Sequence, residues 1–309
     1  MSSFIHIYLL GGFRLVIDGA VVETVNSARL QALLARLVLH AGTPQARQSI
    51  AFSFWPDSTE AQARTNLRQL LHHLRRALPE SDRWIKTGTQ TITWNADAAC
   101  SLDVRAFGDA ADRAEEAVMP ADRERAYEQA VNLYAGDLLP SCYDAWIEPE
   151  RERLRQRYLF VLERLVDHLD LNRAYADALR YGRQLLQEAP LQETTYRRLM
   201  GLHALRGDRA SALRMYHECT TVLERELSVR PSPETHAVYE QLLRGDASAS
   251  DSSVDFVGAV PLVGRHTEWR EVRAAWDRAR GGTASLAAIV GEAGIGKTRL
   301  AEELLGWVQ

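Results

Sequence analysis

The chain has 309 residues, 46% of them hydrophobic and 25% charged, with a net charge of −4. That is enough for two or three domains with buried cores, and no apolar run approaches the roughly 20 residues needed to span a bilayer. The three cysteines, Cys100, Cys142 and Cys219, are odd in number and far apart, which argues against a disulfide framework or a CxxC metal knuckle and points to reduced, mostly buried thiols. The opening "MSSFIHIYLLGGF" has strand-like length and no basic leader, so a cytoplasmic location without membrane association is the expectation.

The charge is unevenly placed. Residues 1–95 hold 10 basic against 6 acidic side chains (+4), residues 96–248 hold 20 against 27 (−7), and residues 249–309 hold 7 against 8 (−1). Among 37 basic residues only Lys86 and Lys297 are lysine, which makes those two positions informative.

"FIHIYLLGGFRLVIDGAVVET" alternates apolar and polar residues, breaks at Gly11-Gly12 and again at the hairpin dipeptide Asp18-Gly19, and predicts three short antiparallel strands. "NSARLQALLARLVLHAG" then predicts an amphipathic helix capped by Asn26 or Ser27 and closed at Gly42. A second short helix is expected around Gln48 to Trp55, ending at Pro56. Asp57 or Ser58 is expected to cap a third, "TEAQARTNLRQLLHHLRRAL".

In that third helix Leu67, Leu71, Leu74 and Leu78 form an apolar stripe. The 100° step puts Thr65, Gln69, His72 and Arg76 on the opposite face, with Arg68 beside them. After Pro79, "RWIKTGTQTITWN" predicts a hairpin carrying Lys86. Strands, three helices and a hairpin describe an α+β winged helix, whose third helix enters the major groove while the wing reaches backbone or minor groove. The candidate DNA-binding set is Arg64, Thr65, Arg68, Gln69, His72 and Arg76, with Lys86 and Thr87 in the wing. Such a polar face taken alone is more often a solvated helix surface; the element order and the local +4 charge reverse that preference in favour of DNA. His72 and His73 are adjacent on a helix and point about 100° apart, so they make a poor metal pair. No catalytic residue stands out in this region, and DNA binding of this kind requires no cofactor.

From "LDVRAFGDAADRAEEA" to "VYEQLLRG" the pattern is helical. "YADALRYGRQLL" and "RASALRMYHECT" align Ala178-Leu179 with Ala212-Leu213, an offset of 34 residues, which is the tetratricopeptide period. Ala178 and Ala212 would let paired helices approach, and Tyr181 and Tyr216 would fill the space between repeats.

"ARTNLRQLLHHLRRAL", the preceding "SFWPD" and the following "WIKTGTQTITW" resemble the response-regulator-type winged helix of the antibiotic-regulatory-protein (SARP) family of bacterial transcriptional activators. "LYAGDLLP", "DAWIEPERERLRQRY" and "ALRMYHECTTVLERELSVRPSPET" resemble the bacterial transcriptional activator domain that follows it in the same family. The resemblance implies binding to double-stranded promoter DNA as a homodimer and contact with RNA polymerase. No acidic residue can be assigned that contact from the sequence.

"DASASDSSVD" is small, polar and acidic and predicts a linker. Beyond it, the run "SLAAIV" leads into "GEAGIGKT" and "RLAEELLGWV", the strand, loop and helix of a P-loop. Gly291, Gly294 and Gly296 would let the backbone wrap phosphates, Lys297 would neutralise them, and Thr298 would hold Mg²⁺ through the nucleotide. This segment resembles the opening of the signal-transduction ATPases fused to large activators of the SARP type, which implies ATP and Mg²⁺ as ligands of the complete domain. Hydrolysis also needs an acidic residue on a later strand, and only twelve residues follow Lys297, so the chain itself is not expected to be an enzyme. An isolated strand and helix would be disordered, packed on a neighbour or swapped.

The expected organisation is thus a winged helix over residues 1–97, an all-α tetratricopeptide-like array over 98–245, a linker over 246–260 and a truncated α/β P-loop segment over 261–309. The expected function is a sequence-specific transcriptional activator regulated through a nucleotide-binding domain. The rival readings are a signalling ATPase that the N-terminal modules only target, and a helical-repeat scaffold.

Overall fold

The structure is a computed structural model and describes residues 4–244 and 266–280. The linker at 246–260 and the P-loop residues Gly291, Gly294, Gly296, Lys297 and Thr298 lie outside the described residues. The chain packs as two compact units, Met1–Arg164 and a second that begins at Leu165. The expected boundary between residues 97 and 98 falls inside the first.

The first unit opens with β1 (Ile5–Tyr8), β2 (Arg14–Ile17) and β3 (Ala20–Val21), paired antiparallel with Ile5 opposite Ile17. Asp18 (φ 49°) and Gly19 (φ 84°) make the two-residue turn between β2 and β3. Both central residues at positive φ match the twist of the flanking strands. A further strand, β7 (Cys100–Leu102), adds to β1 in parallel, giving the order β3-β2-β1-β7. The segment Ala98 to Ser101 shows no alternation of apolar residues, so nothing in it announces a strand.

Helix α1 (Ala28–Leu39) is capped by Ser27, whose side chain accepts from the Leu30 amide at 3.3 Å. It is followed by α2 (Arg47–Phe54) and α3 (Glu60–Ala77). The cap of α3 is Thr59, whose hydroxyl accepts from the Gln62 amide at 3.3 Å, in place of the expected Asp57 or Ser58. Ser58 is held in the preceding turn, where its amide donates to the Trp55 carbonyl at 3.2 Å. A single turn, α4 (Ser81–Trp84), takes up residues expected to open the hairpin. The hairpin itself is β5 (Ile85–Thr87) and β6 (Thr91–Trp94), joined on its other edge by β4 (Gln45–Ala46). Trp84 and Trp94 stack beneath it with centroids 6.1 Å apart, both buried.

Two helices, α5 (Asp103–Glu116) and α6 (Pro120–Leu133), pack on each other, and α7 (Glu148–Leu171) carries the chain from the first unit into the second. Tyr134 bridges Phe107 of α5 and Tyr158 of α7, stacking on the latter at 4.1 Å. These helices are joined to the N-terminal sheet by specific contacts. Gly11 (φ 75°) approaches the chain at residue 135 so closely that a Cβ would stand 2.6 Å from the Ala135 carbonyl oxygen, and its amide donates to Asp137 at 2.9 Å. Arg151 of α7 donates to the carbonyls of Leu138, Leu139 and Cys142.

The second unit contains α8 (Tyr175–Glu188), α9 (Glu193–Leu205), α10 (Arg209–Leu227) and α11 (Pro233–Arg244). Helices α8 and α10 begin at residues 175 and 209, 34 apart, and each packs on α9. Ala178 and Ala212 are fully buried and Tyr181 nearly so. Tyr216 is half-buried and stacks on Tyr239 of α11 at 4.1 Å. Gly182 faces α9, where a Cβ would meet Leu199 at 2.4 Å. Of the segment 261–309 only α12 (His266–Arg280) is described, its Trp269 buried under the Arg173 guanidinium at 4.9 Å. Cys142 and Cys219 are buried free thiols and Cys100 is half-buried.

Candidate nucleic-acid interface

The interface is built on α3. Its apolar side, Ala63, Leu67, Leu71 and Leu74, is buried against α1 and α2, with Leu78 continuing the stripe just past the helix end. Burial of that stripe fixes the rotation of the helix, so the opposite side has to face solvent. Thr65, Gln69, His72 and Arg76 are exposed there, Arg68 is exposed beside them, and Arg64 is exposed nearer the edge of the apolar stripe. The far end is tied down by an ion pair between Arg75 and Asp82 of α4 and by the Thr24 hydroxyl, which donates to the Ala77 carbonyl at 2.7 Å.

The exposed residues differ in what already occupies them. Arg64 forms an ion pair one turn back with Glu60 at 2.5 Å. That pair is exposed on both sides and therefore weak, open to exchange for a phosphate. The Thr65 hydroxyl donates to the Ala61 carbonyl at 2.9 Å, leaving its oxygen only as an acceptor. Arg68, Gln69 and Arg76 form no side-chain hydrogen bond or ion pair among the described residues. Among the described residues the His72 ring has one aromatic neighbour, His73, with centroids 6.1 Å apart. Among the described residues no group of three or more His, Cys, Asp or Glu is placed to hold a metal ion.

The β5–β6 hairpin presents Lys86, Thr87, Gly88, Thr89 and Gln90 to solvent. Arg47, at the start of α2, braces the hairpin tip: its amide donates to the Gln90 carbonyl at 2.9 Å and its Nε to the Gly88 carbonyl at 3.2 Å. Neither Arg47 nor strand β4 figures in the sequence expectation. The break at Gly42-Thr43-Pro44 marks where the chain leaves α1, yet a two-residue strand is too short to show periodicity. Unpaired guanidinium and amide groups along one helix, next in sequence to a hairpin with a free ammonium, can bind phosphates and make bidentate bonds to guanine or adenine edges.

Comparison with known proteins agrees with this architecture. Residues 102–243 match the bacterial transcriptional activator domain and residues 261–307 match an AAA ATPase domain. The chain is 27% identical over 300 residues to "Regulatory protein AfsR" of Streptomyces griseus, covering 92% of this chain and 30% of that protein. It is 24% identical over 263 residues to "Transcriptional regulatory protein MoaR1" of Mycobacterium tuberculosis, covering 79% of this chain and 80% of the relative. The chain spans about a third of the length of the AfsR relatives it matches. A solved structure of Mycobacterium tuberculosis EmbR in complex with a low-affinity phosphopeptide shares the fold, with a TM-score of 0.65 and 18% identity over 89% of this chain and 72% of that one. No helix among the described residues is long and apolar enough to cross a membrane. A winged-helix-like region, a bacterial transcriptional activator domain and the opening of an AAA ATPase domain thus follow one another in a chain that is similar over most of its length to bacterial transcriptional regulators.

Proposed function

We propose that the chain is the promoter-reading and activating part of a cytoplasmic transcriptional activator. Helix α3 enters the major groove: Arg68 and Arg76 bind the duplex, and Gln69 and His72 read base edges. Arg64 and Thr65 sit toward the phosphates flanking the groove. Lys86 and Thr87 carry the wing to the backbone. The observation that supports this most is the unpaired state of Arg68, Gln69 and Arg76 on a helix whose rotation is fixed by its buried leucines. The activator domain supports homodimerisation on paired half-sites and contact with RNA polymerase. Selecting bound sequences from a random duplex pool tests the proposal: enrichment of a defined motif, repeated at a spacing near one helical turn, is the expected result. An unenriched pool would overturn it.

A second reading rests on the AAA ATPase match at residues 261–307. In it the longer protein is a nucleotide-driven switch, with ATP and Mg²⁺ held through Gly291, Gly294, Gly296, Lys297 and Thr298, and the N-terminal modules deliver its output. Nucleotide-dependent DNA binding by a longer chain, lost on Lys297→Ala, would support it; nucleotide-independent binding would leave only the first reading.

A further inference from the structure

The helical array of the second unit contains a solvent-open cavity of about 380 Å³ that the DNA-binding reading does not use. Helix α9 forms its floor through Tyr196 and His203, while α8 and α10 form its walls. On α10 the lining positions Ser211, Arg214, Met215, Glu218 and Val222 recur at helical spacing, so one continuous face is turned inward. On α8, Arg183, Leu186 and Gln187 do the same.

His203 is the unusual group. It is 4% exposed, lines the cavity, and neither ring nitrogen has a hydrogen-bond partner. Its Nδ1 lies 3.7 Å from the Asp208 carboxylate, beyond hydrogen-bond reach. Asp208 is itself engaged as the α10 cap, accepting from the Ser211 amide at 3.0 Å and the Ser211 hydroxyl at 2.5 Å. A buried imidazole without partners costs free energy that a ligand can recover. Burial holds this ring below its usual pKa, assisted by Arg183, Arg206 and Arg214 and opposed by Asp208, so it is neutral near pH 7 and offers one donor and one acceptor.

The two cationic side chains in the lining decide the sign of the ligand. Arg183 is exposed and has no partner among the described residues, and Arg214 is exposed with only the Ser211 hydroxyl at 2.6 Å. Glu218 is the one carboxylate in the lining, and it is exposed. Leu186, Pro190, Tyr196, Met215 and Val222 supply apolar surface. A cavity of this volume, lined by apolar and polar side chains in about equal measure, suits an amphipathic small molecule.

We propose that this cavity between α8, α9 and α10 binds a small organic monocarboxylate, its carboxylate held by Arg183 and Arg214, a polar atom near it bonded to His203, and its apolar body against Tyr196 and Met215. This is a ligand site separate from DNA recognition, and its test does not depend on DNA.

The test uses the 309-residue chain and titrates benzoate, 4-phenylbutyrate and octanoate, each against its neutral primary amide, following heat of binding and the imidazole resonances of His203. Saturable binding of at least one acid, preferred about tenfold or more over its amide and accompanied by a shift of the His203 resonances, is expected. Arg183→Met and Arg214→Met should each weaken it by about tenfold. Arg183 is exposed, so its variant folds irrespective of the outcome, and the resonance shift needs no variant. Absence of saturable binding by all three acids, equal binding of acid and amide, or binding that leaves His203 unmoved would overturn the proposal. Tighter binding of a pentapeptide than of every small acid would assign a polypeptide occupant and overturn it as well.

Discussion

The carboxylate of Asp103, at the first residue of α5, accepts hydrogen bonds from the backbone amides of Leu9 and Leu10, each at 2.8 Å. Its other oxygen accepts from the Val104 amide at 2.8 Å. One buried side chain thus satisfies the donors that the N-terminal sheet leaves open where β1 ends, and ties that sheet to the first helix of the activator domain.

Asp103→Ala should therefore cost about 2 to 4 kcal/mol of unfolding free energy, since three buried amides, those of Leu9, Leu10 and Val104, lose their acceptor. Asp103→Asn, which keeps one acceptor oxygen, should cost less. Chemical denaturation of both variants checks this, and an alanine variant as stable as the parent would mean the two modules are held together by apolar packing alone.

Gly182 of α8 sits where a methyl group would collide with the buried Leu199. Gly182→Ala should destabilise by about 1 to 3 kcal/mol, because the core around Leu199 is already packed. Adding Leu199→Val should recover part of that loss. A double-mutant cycle with no coupling between the two positions would contradict the contact.

Much of this was legible in the sequence, and the unread parts share a cause. The leucine stripe of α3, the Asp18-Gly19 turn and the 34-residue offset are periodic or carry turn chemistry, so they show in one dimension. Strands β4 and β7 are two and three residues long, and they exist because a neighbouring strand offers an edge. The brace from Arg47 to the wing and the bonds from Asp103 to Leu9 and Leu10 join residues far apart in the chain, which no local pattern records. The polar face of α3 was visible; the pairing of Arg64 with Glu60, and the free state of Arg68, needed coordinates. The His203 cavity lacked any sequence signal, because a histidine on a helix is ordinary until its burial is known.

Glu193 gives a pH prediction. Burial alone would raise its pKa, but hydrogen bonds from Thr235 and Ser232 and the charge of Arg197 outweigh burial and hold it below 4.5. A depressed carboxyl contributes stability that is present above its unfolded value and lost as pH falls through the folded one. The unfolding midpoint should fall below pH 4.5 more steeply in the parent than in Glu193→Gln. Parallel pH profiles would show that the Ser232 and Thr235 contacts do not favour the charged form.

Lys86 in the wing tests the backbone contact. Lys86→Ala should weaken binding to all duplexes alike and reduce the salt slope by about 1, since one released counterion is lost. An unchanged slope would remove Lys86 from the interface.

The most direct test of α3 as the reading head compares Arg68→Ala and Gln69→Ala with the parent on a selected duplex and on a scrambled one, by competition binding at fixed salt. Each lost base contact should cost about 1 to 3 kcal/mol on the selected duplex and less on the scrambled one, so sequence preference falls. Parental affinity and parental preference in both variants would contradict the account and place recognition on another face of the protein.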